Sequence, residues 1–245
     1  MKKLLLIILV SILGQQSMNA QDRVEKFGLF DHLGVGIDVG TTGVDIELAS
    51  PLNDFLQIRA GYSFMPKMSY KYKSDVDYTK HGNAYKGEIE GHVKWGNGKL
   101  LLDYYPFPNS TFRATVGAFY GSDEIVDATN IDKIENVHAY EGIVIGDYLI
   151  LPDADGFAKA SIKVNKFKPY VGVGFGRSVP RKRIGVGCDL GVQFWGKPGV
   201  YEKQSGHDVK VEGKDIDDKD GGVIKALSKI SVCPVLTLRL TGRIF

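Results

Sequence analysis

Apolar and polar residues alternate with a period of two along most of this chain, and the stretch GKLLLDYYPFPNSTFRATVGAFYG, from Gly98 to Gly121, shows the unit most plainly. In its second arm Phe112, Ala114, Val116, Ala118 and Tyr120 share one face, and Arg113, Thr115, Gly117 and Phe119 the other. In its first arm Leu100, Leu102 and Tyr104 oppose Lys99, Leu101, Asp103 and Tyr105. Successive strand side chains point to opposite faces, so this spacing around Pro108-Asn109-Ser110 predicts a β-hairpin with aromatic ends. The same alternation runs through Leu33–Val39, Val44–Ala49, Leu56–Phe64, Ala158–Val164, Val171–Gly176, Ile184–Phe194 and Leu236–Ile244. Glu88–Lys94 also alternates, and its apolar parity changes across Gly96-Asn97-Gly98. We read 88–105 as one long strand with a bulge, since a bulge shifts parity by one.

The intervals between these runs differ in length. Pro66–Lys86 is polar and tyrosine-rich and reads as a long exposed loop. Ser122–Asp155 is the longest excursion; within it Ile143–Ile145 and Tyr148–Ile150 flank Gly146-Asp147, a hairpin signal. Arg177–Arg183 is a basic loop, and Val200–Glu212 is the weakest strand, with neither face convincingly apolar. Gly213–Ser231 begins acidic and ends in a segment with the spacing of a helical turn or two.

Strands of about 9–11 residues with one apolar and one polar face, joined by short turns and long loops in alternation, are the pattern of a transmembrane β-barrel. A sheet in lipid must close on itself to satisfy its backbone. The expectation is therefore an all-β protein: a closed antiparallel transmembrane barrel of about ten strands, with eight or twelve as the other even counts. Both termini, and short turns at Ser50–Asp54, Phe107–Ser110, Asn165–Lys168 and Gly196–Gly199, would face the periplasm. The long loops and the basic Arg177–Arg183 loop would face outward. Periodicity alone leaves open the inverse, a soluble ligand-binding barrel that is apolar inside. Two features favour lipid outside: aromatic residues cluster at strand ends, and the polar faces mix glycine with charges of both signs. The expected lumen-lining set is Asp38, Asp45, Glu47, Gln57, Arg59, Arg113, Lys163, Asp189, Gln193, Arg239 and Arg243. Mixed signs in a narrow barrel point to a salt-bridged filling rather than a single-sign selectivity ring.

The first residues add an address. Lys2-Lys3, an apolar run from Leu4 to Leu13 and small residues ending at Ala20 make a secretory signal peptide, cleaved after Ala20. Residues 21–31 are then a periplasmic lead-in and 32–245 a single outer-membrane barrel domain. Loss of Lys2 and Lys3 takes the formal charge of +2 to zero, which gives no reason to expect nucleic acid. The 30 glycines, 12 tyrosines and 12 phenylalanines suit many short strands. Export leads to an oxidising compartment, but the pattern puts Cys188 on the outer face and Cys233 on the inner one, which argues against a disulfide.

The segments LLLDYYPFPNSTFRATVG, VNKFKPYVGVGFG, GVGCDLGVQFWGKPGV and PVLTLRLTGRIF, in that order, resemble a family of small bacterial outer-membrane β-barrel proteins, over about His32 to Phe245. The resemblance implies fold and a Gram-negative cell-envelope location, with barrel assembly machinery as a partner during biogenesis and membrane lipid afterwards. It supplies no active site. One departure is that Leu236, Leu238, Leu240 and Ile244 are out of step with the terminal Phe245, whereas assembly signals usually keep them in step.

Candidate chemistry changes little. GIDVGTTGVD, Gly36–Asp45, resembles the phosphate loop of actin-like sugar kinases, but such enzymes need a second phosphate loop and a far longer chain and are not exported, and a hairpin turn between barrel strands accounts for it. His32, His81, His92, His138 and His207 show no metal-ligand spacing, so neither metal nor cofactor is expected. Asp77 and His81 share a loop that would suit part of a hydrolytic site at the outer rim, but a solvated loop pair accounts for them. The sequence reading is thus a non-enzymatic, porin-like barrel that anchors surface loops or passes a small solute. A soluble periplasmic binding barrel and an outer-membrane enzyme remain as alternatives.

Overall fold

A computed structural model describes residues 27–66, 68–80, 83–93, 95–107, 109–131, 143–145, 148–150, 152–153, 155–204, 207–210 and 231–245. The signal peptide, 21–26 of the lead-in and most of 213–231 lie outside these residues. Eight strands form a closed antiparallel barrel: β1 (Gly34–Gly40), β2 (Gly43–Pro51), β3 (Leu56–Phe64), β6 (Gly96–Tyr104), β7 (Phe112–Gly121), β12 (Phe167–Phe175), β13 (Ile184–Phe194) and β16 (Val232–Arg243). They follow one another around the ring in chain order, and β16 closes on β1 with Ile37 opposite Leu240 and Asp38 opposite Arg239.

A second antiparallel sheet takes the remaining strands. These are β4 (Met68–Lys80), β5 (Asn83–Val93), β8 (Glu124–Asn130), β9 (Ile143–Ile145), β10 (Tyr148–Ile150), β11 (Lys159–Lys163), β14 (Gly199–Gln204) and β15 (His207–Lys210), in the order β10-β9-β4-β5-β8-β11-β14-β15. All of them leave the barrel at the end that carries the Gly40–Gly43 turn. The backbone ladder continues across the junction: Met65 donates to the Trp95 carbonyl at 3.0 Å, Val164 to Asp123 at 2.8 Å, Asn165 to Trp195 at 2.9 Å and Trp195 to Ser231 at 2.9 Å. Trp95, Ile125 and Val164 form a buried cluster there, with Met65, Val126 and Trp195 packed on it. The indole of Trp95 donates to the Thr42 carbonyl at 2.8 Å.

Eight strands rather than ten close the barrel, because β11, from the expected strand at 158–164, and β14 and β15, the described part of 200–212, belong to the second sheet. Residues 88–105 are two strands in different sheets, so the parity change at Gly96 marks the crossing between sheets and not a bulge. Most of Pro66–Lys86 pairs as the β4–β5 hairpin instead of an open loop; its tip, 81–82, lies outside the described residues. Withdrawing one strand inverts every direction until the next is withdrawn. Asn165–Lys168 and Gly196–Gly199 therefore lie at the excursion end, and Arg177–Arg183 lies at the end holding Phe27, Phe245 and the turns at 52–55 and 105–111.

The two faces of the wall are opposite in kind. Val116, Leu190 and Leu238 are 52%, 59% and 52% exposed, whereas Asp45, Arg59 and Arg113 are 4%, 1% and 0% exposed. Aromatic residues ring both ends of this apolar belt: Tyr62, Tyr120, Phe167 and Phe194 at the excursion end, and Phe55, Tyr104, Phe107 and Phe175 at the other. Cys188 lies opposite Leu238 and Cys233 opposite Gln193, so the two thiols are free.

Candidate functional site: a charged and plugged lumen

An eight-stranded barrel is just wide enough for inward side chains to fill it. Here the wall supplies them from alternate positions of neighbouring strands. Asp38 comes from β1, Asp45 and Glu47 from β2, Gln57 and Arg59 from β3, Lys99 and Asp103 from β6, Arg113 and Thr115 from β7, Asp189 and Gln193 from β13, and Arg239 from β16; all are buried. Glycines on the same faces make room for the larger groups, as where Gly172 and Gly191 lie against the ring of Tyr170.

The charged groups interlock across the lumen. Arg59 Nε meets Asp103 Oδ2 at 2.7 Å, Arg59 Nη1 meets Glu47 Oε2 at 3.2 Å, and the same Nη1 lies 3.8 Å from Asp189 Oδ2. Lys99 Nζ sits among Asp38 (2.9 Å), Asp45 (2.7 Å) and Glu47 (2.8 Å). Arg113 Nη2 binds Asp189 Oδ1 at 2.6 Å; Arg239 Nε reaches Asp38 at 3.1 Å and Glu47 at 2.9 Å, and its Nη2 binds Asp189. Asp103 also accepts from Thr115 Oγ1 at 2.7 Å. Five carboxylates thus face four cations, and burying so many charges is tolerable only because nearly every one is paired. Asp45 Oδ1 and Gln57 Nε2 have no hydrogen-bond partner among the described residues.

The β12–β13 connection closes the lumen at the end opposite the excursions. Gly176, in the left-handed region with φ of 95°, turns the chain inward after β12. Ser178 and Val179 are then 1% and 0% exposed. Ser178 N–H donates to Tyr105 Oη at 3.1 Å, its hydroxyl to Asp103 Oδ2 at 2.6 Å, and Val179 N–H to Gln57 Oε1 at 3.0 Å. Arg239 Nη1 donates to Ser178 Oγ at 3.2 Å, and Arg113 Nη1 to the Gly176 carbonyl. The Arg177 guanidinium lies over Tyr105, 4.6 Å from the ring centroid, and 5.6 Å from that of Phe27. A cavity bordered by Asp38, Asp45, Lys99 and Tyr170 measures about 10 Å³, room for roughly one water.

Of the eleven residues expected to line the lumen, nine are buried inside the barrel. Lys163 is not among them: it stands on β11 in the second sheet, pairs with Asp208 and lies over the Tyr201 ring at 5.4 Å. The Asp208 hydrogen bond beside it holds its ammonium above the ordinary lysine value. Arg243 shares the inward parity of β16 but sits half-buried at the rim. Lys99, Asp103, Thr115, Tyr105 and Ser178 complete the network and were not in the expected set. Lys99, Asp103 and Tyr105 do share one face in the sequence alternation, but both faces of that arm carry leucines, so the pattern alone does not say which is luminal. Asp77 falls in β4 and His81 lies outside the described residues.

An apolar belt outside, aromatic girdles at both ends and a charged interior define the molecule as a transmembrane β-barrel, here with a second sheet built onto one end. Similar solved structures are those of Acinetobacter baumannii CarO and CarO2. Each has a TM-score of 0.50 and 20% identity; the matches cover 85% and 89% of this chain and 96% and 99% of theirs. At that identity the likeness is one of fold. No protein-family model and no curated protein matches the chain.

Proposed function

We propose that this chain is a non-enzymatic outer-membrane barrel whose lumen is sealed and whose work is to hold the second sheet at the cell surface. The observation that carries this reading is the lumen itself. Four buried cations and five carboxylates cross-link strands on opposite walls, and the 176–180 segment fills the space beneath them. A permeant solute would have to break several paired, desolvated charges at once, each several kcal/mol out of balance when its partner is lost. The exposed apolar belt supports a membrane location, because in a soluble binding barrel the same side chains would point inward. With both described ends of the chain on the short-turn side, the second sheet faces outward and the plugged end faces the periplasm.

Planar-bilayer recording of the purified full chain tests the sealed lumen: no unitary conductance steps are expected, and steady ohmic steps would overturn it. Fractionation with a heat-dependent gel shift tests the membrane reading separately. Recovery of folded protein without detergent would sink that reading.

A further inference from the structure

The β12–β13 connection has a second part. After the buried 176–180 segment the chain surfaces as Arg181-Lys182-Arg183, with Lys182 and Arg183 exposed and Arg181 half-buried. Arg243 joins them from the neighbouring strand, its backbone N–H donating to the Arg183 carbonyl at 2.8 Å. Ile184, opposite Gly242 in the ladder, is 70% exposed, and Ile244 and Phe245 are 60% and 64% exposed. The four cations therefore stand where the apolar belt ends, on one arc of the rim. Asp31 and Asp54 are two carboxylates of the same end, outside the lumen. Asp31 lies 2.8 Å from His32 Nδ1 and accepts from Gly28 N–H, and Asp54 accepts from Phe27 N–H at 2.7 Å.

We propose that this arc is a headgroup site for anionic glycerophospholipid in the leaflet that meets the terminal end of the barrel; the proposal rests on the membrane reading above. Guanidinium groups match phosphate oxygens in a planar two-pronged geometry, and an adjacent lysine adds a point charge. The isoleucines and the phenylalanine alongside lie level with the first methylenes of the acyl chains. A ligand that presents phosphate at the edge of an apolar layer therefore meets both halves of the surface, and a soluble phosphate only one. Each basic side chain near an anionic membrane surface favours binding by about a fivefold factor.

The test compares the parent with Lys182→Gln/Arg183→Gln, both reconstituted as the full chain in phosphatidylcholine vesicles with and without phosphatidylglycerol. Spin-labelled lipids report the association of phosphatidylglycerol relative to phosphatidylcholine at the barrel surface. The parent should prefer phosphatidylglycerol, and the double variant should lose that preference by at least about fivefold. Lys210→Gln, at the opposite end, should leave it unchanged. If the double variant does not insert, Lys182→Gln alone, at an exposed position, carries the comparison with a loss of about fivefold. An inserted variant with undiminished preference, or an inserted parent with none, overturns the proposal. Failure of the parent to insert at all counts instead against the membrane reading.

Discussion

Replacing Arg59 by methionine probes the lumen where its charges are most tightly shared. Arg59 is 1% exposed and touches Glu47, Asp103 and Asp189. At 2.7 Å its attraction to Asp103 alone is about 6 kcal/mol at an effective dielectric constant of roughly 20, most of it offset by desolvation of both ions. Removing one partner forfeits the attraction and keeps the buried carboxylates, so Arg59→Met leaves five carboxylates facing three cations and should cost about 3–5 kcal/mol. Urea unfolding in lipid vesicles, followed by Trp95 and Trp195 fluorescence, should then show a midpoint lower by about 2 M, for a slope near 2 kcal/mol/M. Adding Glu47→Gln returns the carboxylate excess to that of the parent. The double variant should recover at least half of the loss, giving a coupling on the order of 2 kcal/mol. Two outcomes refute the reasoning: an Arg59→Met barrel within about 1 kcal/mol of the parent, or a double variant less stable than the single one. Either would mean that the lumen charges are solvated and not paired against one another.

Three further predictions follow from local geometry. Gly176→Ala should cost about 1–2 kcal/mol in the same titration, because Gly176 is left-handed and an added Cβ would meet the Val186 carbonyl; an unchanged midpoint would show that the inward turn is not held at this residue. Asp153 accepts from the backbone N–H groups of Asp155 and Phe157 and from Lys159 Nζ. Desolvation alone would raise its pKa, but the Lys159 and backbone hydrogen bonds prevail and hold the carboxyl below the ordinary value. A depressed carboxyl stabilises its loop at neutral pH and loses that contribution as pH falls from the ordinary aspartate range through the lowered value. The protection factors of the Asp155 and Phe157 amides, which divide out the intrinsic pH dependence of exchange, should fall over that acidic interval, and in Asp153→Asn should be lower and independent of pH there. Cys188 and Cys233 should both take up a maleimide after denaturation without reductant, and a chain that labels only after reduction would contradict the register.

The barrel wall was largely legible in the sequence because its rule is local: period-two alternation reports which side chains share a face, and both faces of β2, β3, β13 and β16 are clear. GIDVGTTGVD fits the β1–β2 hairpin, with Gly43 at φ of 104° in its turn. What alternation does not carry is which sheet a strand joins. Residues 158–164 and 200–212 have strand chemistry, and nothing in their spacing separates an upward barrel strand from one that pairs above the barrel. Taken as barrel strands, those two place 165–168, 177–183 and 196–199 at the opposite ends of the barrel from where they lie, and Lys163 in a lumen it does not reach. The plug was illegible for another reason. Gly-Arg-Ser-Val-Pro-Arg-Lys-Arg has the composition of a solvated loop, and its burial depends on hydrogen bonds to Gln57, Asp103 and Tyr105, more than 70 residues away in sequence.

The backbone hydrogen bonds that join the barrel to the second sheet have a mechanical consequence. A tethered head swings on its linker and tears away there, whereas here a tug on the second sheet is carried as shear along rows of backbone hydrogen bonds into the strands of the barrel wall. Load that would snap a loop is spread over several staves at once, so force-probe extraction should draw out whole hairpins instead of peeling a separate cap.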